Sequence, residues 1–253
     1  CDVEHGYDGN LYLADYGGGW SVNKNGTIQV MRPTDPKMQA IGKETALAFK
    51  KGFSSRSLPE LESLLSHDDQ RVRLAAQHAI VEKGEPAIKL LSGVLRSDDN
   101  KNHRKLHAVW AMGQLFGKGH ESVASDLLVC LSAGEVEIRA NAARTCGDIE
   151  LASAKEPLLS LLNDSSSRVT TLAAIALGRI CSVGDQETVE ALFQCGEKNA
   201  GSSFEVTLRH SLLSALSRLA TTESTLRYAK VDSEEQRICL LYTSPSPRDL
   251  RLS

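Results

Sequence analysis

Along most of the chain apolar residues recur at helical spacing, and the stretches that carry them recur as well. Val72-Arg73-Leu74-Ala75-Ala76, Arg104-Lys105-Leu106-His107-Ala108, Ile138-Arg139-Ala140-Asn141-Ala142 and Val169-Thr170-Thr171-Leu172-Ala173 align, their starts spaced by 32, 34 and 31 residues. Gly113, Gly147 and Gly178 hold one register of successive units. Each unit reads as helix, turn, helix. Leu58, Leu61, Leu64 and Leu65 form the first apolar stripe, stepping by three and four residues as a helix face does. His67-Asp68-Asp69 makes the turn and a second helix follows over 71–83, with Leu74 placed on its buried face. The later pairs are 87–96 with 101–116, 120–133 with 136–150, 155–163 with 168–182, and 186–198 with 204–220. The last unit is longer, Ser217 standing 39 residues after Gly178, and the extra residues fall in the loop Asn199-Ala200-Gly201-Ser202-Ser203. A unit this short cannot bury its own apolar face and must stack on its neighbours.

The punctuation agrees with this division. Asp35 before Pro36 is a helix start, since a carboxylate accepts unpaired N–H groups and proline is tolerated at the first helical position. Gly52 and Gly84 are stops. Ser57 and Glu60 have the spacing of a capping box. Asp69, Asp99 and Asp164 precede second helices, where a short carboxylate favours the positive helix end. Alanines such as Ala76, Ala108, Ala142 and Ala173 keep the second helices slim, and Leu64-Leu65, Leu90-Leu91, Leu127-Leu128 and Leu158-Leu159 fill the space between layers.

The first thirty residues follow a different rule. Asp8-Gly9 and Asn25-Gly26 are turn signals, and residues 11–16 and 27–31 read as strands. Three short strands do not make a stable domain, so this segment reads as the last part of something larger. The fold class is therefore all-α: an α-solenoid of about five helical hairpins, preceded by a short β remnant.

Composition narrows the function. The net charge of −3 over 253 residues argues against a general nucleic-acid binder, which carries a clustered basic surface. No apolar run approaches the roughly 20 residues of a membrane-spanning helix. The chain starts with Cys1 and is read as an internal fragment. Its six cysteines, Cys1, Cys130, Cys146, Cys181, Cys195 and Cys239, form no Cys-x-x-Cys pair. Cys130, Cys146 and Cys181 lie on apolar stripes and read as small hydrophobes.

Candidate chemistry is sparse. His103 and His107 have the spacing of a helical metal pair but lack a clear third ligand; the better reading is an ordinary, partly exposed pair. Asp15 could line a pocket or bind calcium, though an Asp at a strand end more often satisfies local backbone. Gly17-Gly18-Gly19 has no helix at phosphate-loop spacing. No catalytic, cofactor-binding or metal-ligating residue is assigned. Arg71, Arg73, Arg104 and Arg139 are the candidate interaction surface; the alternative for them is capping and pairing between repeats.

Residues 58–220 resemble HEAT repeats in their short form, marked by a turn acid, Val or Ile, Arg, and an Ala-rich helix. Asp69…Val72-Arg73 and Glu135…Ile138-Arg139 keep the pattern, whereas Arg168-Val169-Thr170 and Arg104-Lys105 depart from it. Residues 2–20, with Gly6-Tyr7-Asp8-Gly9-Asn10 and Leu11-Tyr12-Leu13-Ala14-Asp15-Tyr16, resemble the last blade of a sorbosone/glucose dehydrogenase-type β-propeller. The stretch from Gly42-Lys43-Glu44-Thr45 to Arg71-Val72-Arg73 resembles the propeller-to-HEAT junction of large bacterial proteins that end in a c-type haem domain. The resemblance implies a partial propeller blade over 1–32, a linker and connecting helix over 33–57, and a HEAT-like solenoid over 58–240. It also implies a periplasmic parent protein, possessing a pyrroloquinoline quinone (PQQ), calcium and c-type haem outside this segment. The segment would be a non-catalytic scaffold that docks the propeller and haem domains or another protein. The rival is a free-standing HEAT adaptor; a tetrapyrrole lyase shares the repeat but finds no catalytic group here. Residues 241–253, ending Ser244-Pro245-Ser246-Pro247, resemble translated sequencing adapter from metagenomic fragments and are expected to be a disordered tail outside the fold.

Overall fold

The computed structural model describes residues 2–17, 25–97, 102–199 and 206–228. These carry twelve α-helices and one three-stranded sheet. The chain divides into two compact units, Cys1–Leu90 and Leu91–Ser253. The expected loop at 199–203 lies almost wholly outside the described residues, as do Asp99, Gly18-Gly19-Trp20 and the tail at 241–253.

The first unit opens with β1 (Asp2–His5), β2 (Leu11–Asp15) and β3 (Thr27–Met31), an antiparallel sheet in sequence order. Val3 pairs with Leu13 and Leu13 with Gln29; Tyr12 pairs with Val30 and Ala14 with Ile28. Every residue of β1 and β3 is exposed. Then come α1 (Pro36–Lys51), α2 (Leu58–Leu64) and α3 (Gln70–Glu82). Their ends follow the sequence signals: Asp35 accepts the Lys37 N–H, Gly52 sits at φ 76°, and Ser57 and Glu60 form the capping box. Asp69 caps α3 through the Arg71 N–H, and Gly84 adopts φ 66° just past it.

One expectation fails here. Leu74 is 41% exposed, while Val72, Ala76, Ala79 and Ile80 form the buried stripe of α3. Two helical steps turn a side chain through about 200°, so a residue two places after buried Val72 points away from the core.

From α4 (Pro86–Leu95) the chain enters the second unit, with α5 (Asn102–Gly117), α6 (Ala124–Cys130), α7 (Val136–Asp148), α8 (Lys155–Leu161), α9 (Ser167–Ile180), α10 (Gln186–Lys198), α11 (Val206–Leu219) and α12 (Thr222–Tyr228). The first helices α6 and α8 are short, 7 residues each. Single 3₁₀ turns at Glu121–Val123 and Ala152–Ala154 lead into α6 and α8, where tighter i to i+3 bonding satisfies groups at a helix end. The second helices α5, α7, α9 and α11 pack side by side in that order. The core lies along them and includes Met112, Leu115, Leu127, Leu158, Leu177 and Leu192, all fully buried.

Glycines set the approach of these helices. A Cβ at Gly147 would lie 2.7 Å from the Ala176 Cα, and one at Gly178 would lie 3.0 Å from the Ala215 Cα. Gly113 meets Thr145 in the same way. The glycine register read from the sequence is thus the seam between consecutive repeats: each unit's glycine faces a small or short residue two positions before the next unit's equivalent. Among the described residues no helix is long and apolar enough to cross a membrane.

Candidate protein-interaction surface

The four arginines take different places. Arg71 grips the Asp69 carboxylate with Nε (3.1 Å) and Nη2 (2.7 Å), and its Nη1 donates to the carbonyls of His5 (2.7 Å) and Gly6 (3.0 Å). Its guanidinium also lies 5.4 Å from the Tyr7 ring centroid. Tyr7 stacks on Phe49 at 4.0 Å, and Phe49 meets Phe53 edge-on. Gly9, at φ 80°, packs against Gly42 of α1. In the first unit, therefore, Arg71 and this aromatic run tie the β1–β2 turn to α1 and α3. The Arg71 hydrogen bonds hold the Asp69 carboxyl down at about 2.

Arg73 and Arg139 repeat one arrangement. Arg73 donates to the carbonyls of His67 and Asp68; Arg139 donates to those of Ala133 and Gly134, six and five residues back in both cases. At the equivalent place in α9, Thr170 Oγ1 donates to the Asp164 carbonyl, again six back. The Arg139 fork also reaches the next repeat, to Asp164 at 2.7 and 3.1 Å. This pair is nearly buried, and the contact holds the Asp164 carboxyl below its ordinary range. Lys105, the residue of α5 in the Arg139 register, reaches Glu135 of the next turn at 2.9 Å. Lys105 and Arg139, in one register, thus hold the next unit's turn acid, with lysine substituting for arginine. Lys155, at the start of α8, pairs separately with Asp185 and Glu187 at the start of α10. Arg104 is half-buried on α5.

The exposed surface of the second unit lies elsewhere on the same helices. His103, His107, Trp110 and Gln114 of α5 align with Glu137, Asn141, Arg144 and Asp148 of α7, and with Arg168, Leu172, Ile175 and Arg179 of α9; of these His107 and Asn141 are buried, Trp110, Leu172 and Ile175 are half-buried, and the rest are exposed. Ion pairs cross between α7 and α9 at Arg168–Glu137 (3.5 Å) and Arg179–Asp148, and Arg144 joins Asp148 at 3.5 Å. Trp110 Nε1 donates to Asn141 Oδ1, whose amide donates to the Glu137 carbonyl. Sequence reasoning missed this surface, because its members are scattered single residues that only the repeat register brings together. His107 is 2% exposed and packs edge-on against Trp110. This corrects the expected partly exposed histidine pair: His107 is four residues from His103 yet turned into the helix layer. Asp126 was also missed. It is buried on α6 and accepts from Ser92 Oγ (2.6 Å) and Arg96 (2.7 Å).

Nothing in these residues fits the cofactors the resemblance implies. Among the described residues no three His, Cys, Asp or Glu side chains cluster to hold a metal. Asp15 accepts the Gly17 N–H at its own strand end. Cys130, Cys146, Cys181 and Cys195 are free thiols. Burial pushes the Cys130 and Cys146 thiols up to about 12, so they are inert hydrophobes at neutral pH.

The family model described as HEAT repeats matches residues 124–203, a span that takes in α6 to α10. That stretch is a HEAT-like repeat segment. No curated protein matches the chain. Among solved structures, the crystal structure of an engineered protein is similar at 20% identity, covering 74% of this chain and 97% of its own, with a TM-score of 0.44. A second engineered protein is similar at 20% identity, covering 74% of this chain and 95% of its own, with a TM-score of 0.43.

Proposed function

We propose that this chain is a non-catalytic scaffold that binds protein through the exposed face of its stacked second helices. One observation carries the reading. Glycine seams hold α5, α7, α9 and α11 in one layer, with ion pairs Lys105–Glu135 and Arg139–Asp164 linking successive units; its outward charged side chains are exposed and of both signs, interrupted by the half-buried Trp110, Leu172 and Ile175. A rigid layer with aromatic and arginine side chains on its open face has the make-up of a protein-binding surface.

We further propose that the scaffold belongs to a larger periplasmic protein related to sugar dehydrogenases, and that it holds a propeller and a haem domain. Two features support this. Both faces of the sheet are bare, with Val3, Ile28 and Met31 all about half exposed or more, as suits strands that pack within a larger β body. The Arg71–Tyr7–Phe49 junction fastens those strands to the helices. PQQ, calcium and haem would lie in other domains. Arg71, Arg73, Arg104 and Arg139 then serve the scaffold's own cohesion more than its docking. The test is the gene sequence on both sides of this segment. Propeller blades upstream and Cys-x-x-Cys-His downstream are expected; a reading frame limited to the repeats would instead make it a free-standing adaptor.

A further inference from the structure

The layer formed by α5, α7 and α9 carries two hollows, one on each side of α7. The first, about 270 Å³, lies beside Trp110, Gln114 and Thr145. The second, about 230 Å³, lies beside Leu172, Ile175 and Arg179. Asp148 borders both, and Arg144 projects from α7 between Trp110 and Ile175 in the repeat register. Two guanidiniums, Arg144 and Arg179, share the single Asp148 carboxylate. All three side chains are 40% exposed or more, so these pairs are weak in water and exchange partners at little cost. The chain as a whole is negative, yet this face holds Arg144, Arg168 and Arg179 against Glu137 and Asp148.

We propose that this face binds an extended acidic segment of a partner protein, with apolar side chains in the two hollows and a carboxylate on Arg144 and Arg179. The proposal rests on the scaffold reading above and gives that partner its chemistry. Adjacent packed helices lie about 8–10 Å apart, and a chain in the extended polyproline II conformation advances about 3.1 Å per residue and returns to the same face every third residue. The segment therefore has two apolar residues three positions apart, with an acidic residue between them. Trp110 supplies the kind of aromatic anchor that dominates binding energy. Nucleic acid fits less well, because its regular run of phosphates would face Glu137 as well as the arginines, whereas the segment places a single carboxylate at Arg144 and Arg179 between apolar side chains.

The test selects from a phage-displayed library of random linear peptides on the purified chain. The strongest binder is then titrated by fluorescence anisotropy against the chain, an Arg144→Glu/Arg179→Glu double variant, and a Lys198→Glu variant on α10 as control. Circular dichroism confirms that the variants fold. The expected result is enrichment of the apolar–acidic–apolar spacing, binding that weakens with salt, and a loss of about tenfold or more in the double variant alone. Peptides without acidic residues, equal affinity for the double variant, or displacement by duplex DNA would overturn it. Peptides that footprint the first helices would sink this proposal and leave the scaffold reading standing. If no peptide or protein binds at all, both fall.

Discussion

Replacing Gly147 by alanine should destabilise the protein, although alanine is the better helix former. In an exposed helix interior, Gly→Ala gains about 1 kcal/mol. Gly93, in α4, has nothing within 4 Å of its missing Cβ and is exposed, so Gly93→Ala should gain about that much. At Gly147 the new methyl would lie 2.7 Å from both the Cα and Cβ of Ala176. Backbone cannot swing aside as a flexible side chain can, so α7 and α9 must separate along their contact. Overpacking of this kind costs about 1–3 kcal/mol, and the lost van der Waals contact along the seam adds to it. The net effect should be a destabilisation of about 1 kcal/mol, hence a difference of about 2 kcal/mol between the two variants. Urea denaturation followed by far-ultraviolet circular dichroism measures both. If Gly147→Ala stabilises as much as Gly93→Ala, the helices do not approach at this glycine and the seam assignment is wrong.

Other perturbations separate buried contacts from exposed ones. Leu74→Asp should change stability by no more than about 0.5 kcal/mol, whereas Ile80→Asp, at a fully buried position, should cost several kcal/mol; equal effects in denaturation would mean the α3 face is misplaced. Arg139→Leu strands Asp164, which is 8% exposed, and should cost about 3 kcal/mol, while Arg144→Leu at an exposed pair should cost under about 1 kcal/mol. The Asp69 carboxyl is lowered from 3.8 to about 2, so its contribution of about 2 kcal/mol is complete above its unfolded value and is lost as pH falls from there through about 2. Asp69→Asn should remove this stability at neutral pH, and the gap between variant and wild type should close at the acid end; a gap independent of pH would refute the Arg71–Asp69 assignment.

The helices were legible because their signals are local. Caps at Asp35, Ser57 and Asp69 and stops at Gly52 and Gly84 act within one turn of backbone, and the apolar stripes repeat often enough to fix the unit. The glycine register was legible as periodicity, though only the structure shows that each glycine meets the next unit. What stayed hidden depends on side chains meeting at a distance. Lys105 and Thr170 take over parts of the arginine's role with different chemistry, so the motif looked broken where the contact persists. Arg71 spends its donors on carbonyls of His5 and Gly6, a partnership 65 residues long that no spacing rule contains. The helix α12 was missed because its cap, Thr221 and Ser224 exchanging hydrogen bonds, lacks the Glu or Gln of the usual box. The open face of α5, α7 and α9 was missed because its residues are ordinary surface types one by one.

Hydroxyl-radical footprinting of the proposed larger protein that contains this segment, compared with this chain alone, tests the scaffold account most directly. It labels Trp, Met, Leu, Ile and Val side chains according to their exposure. On α6, Val129 is 66% exposed and lies apart from the second-helix face, so it serves as the internal reference. The expected result is that Trp110, Leu172 and Ile175 lose labelling in the larger protein, together with Ile28 and Met31 of the sheet, while Val129 is unchanged. Unchanged labelling at Trp110, Leu172 and Ile175 with protection at Val129 would contradict the account, because partners would then dock on the first helices.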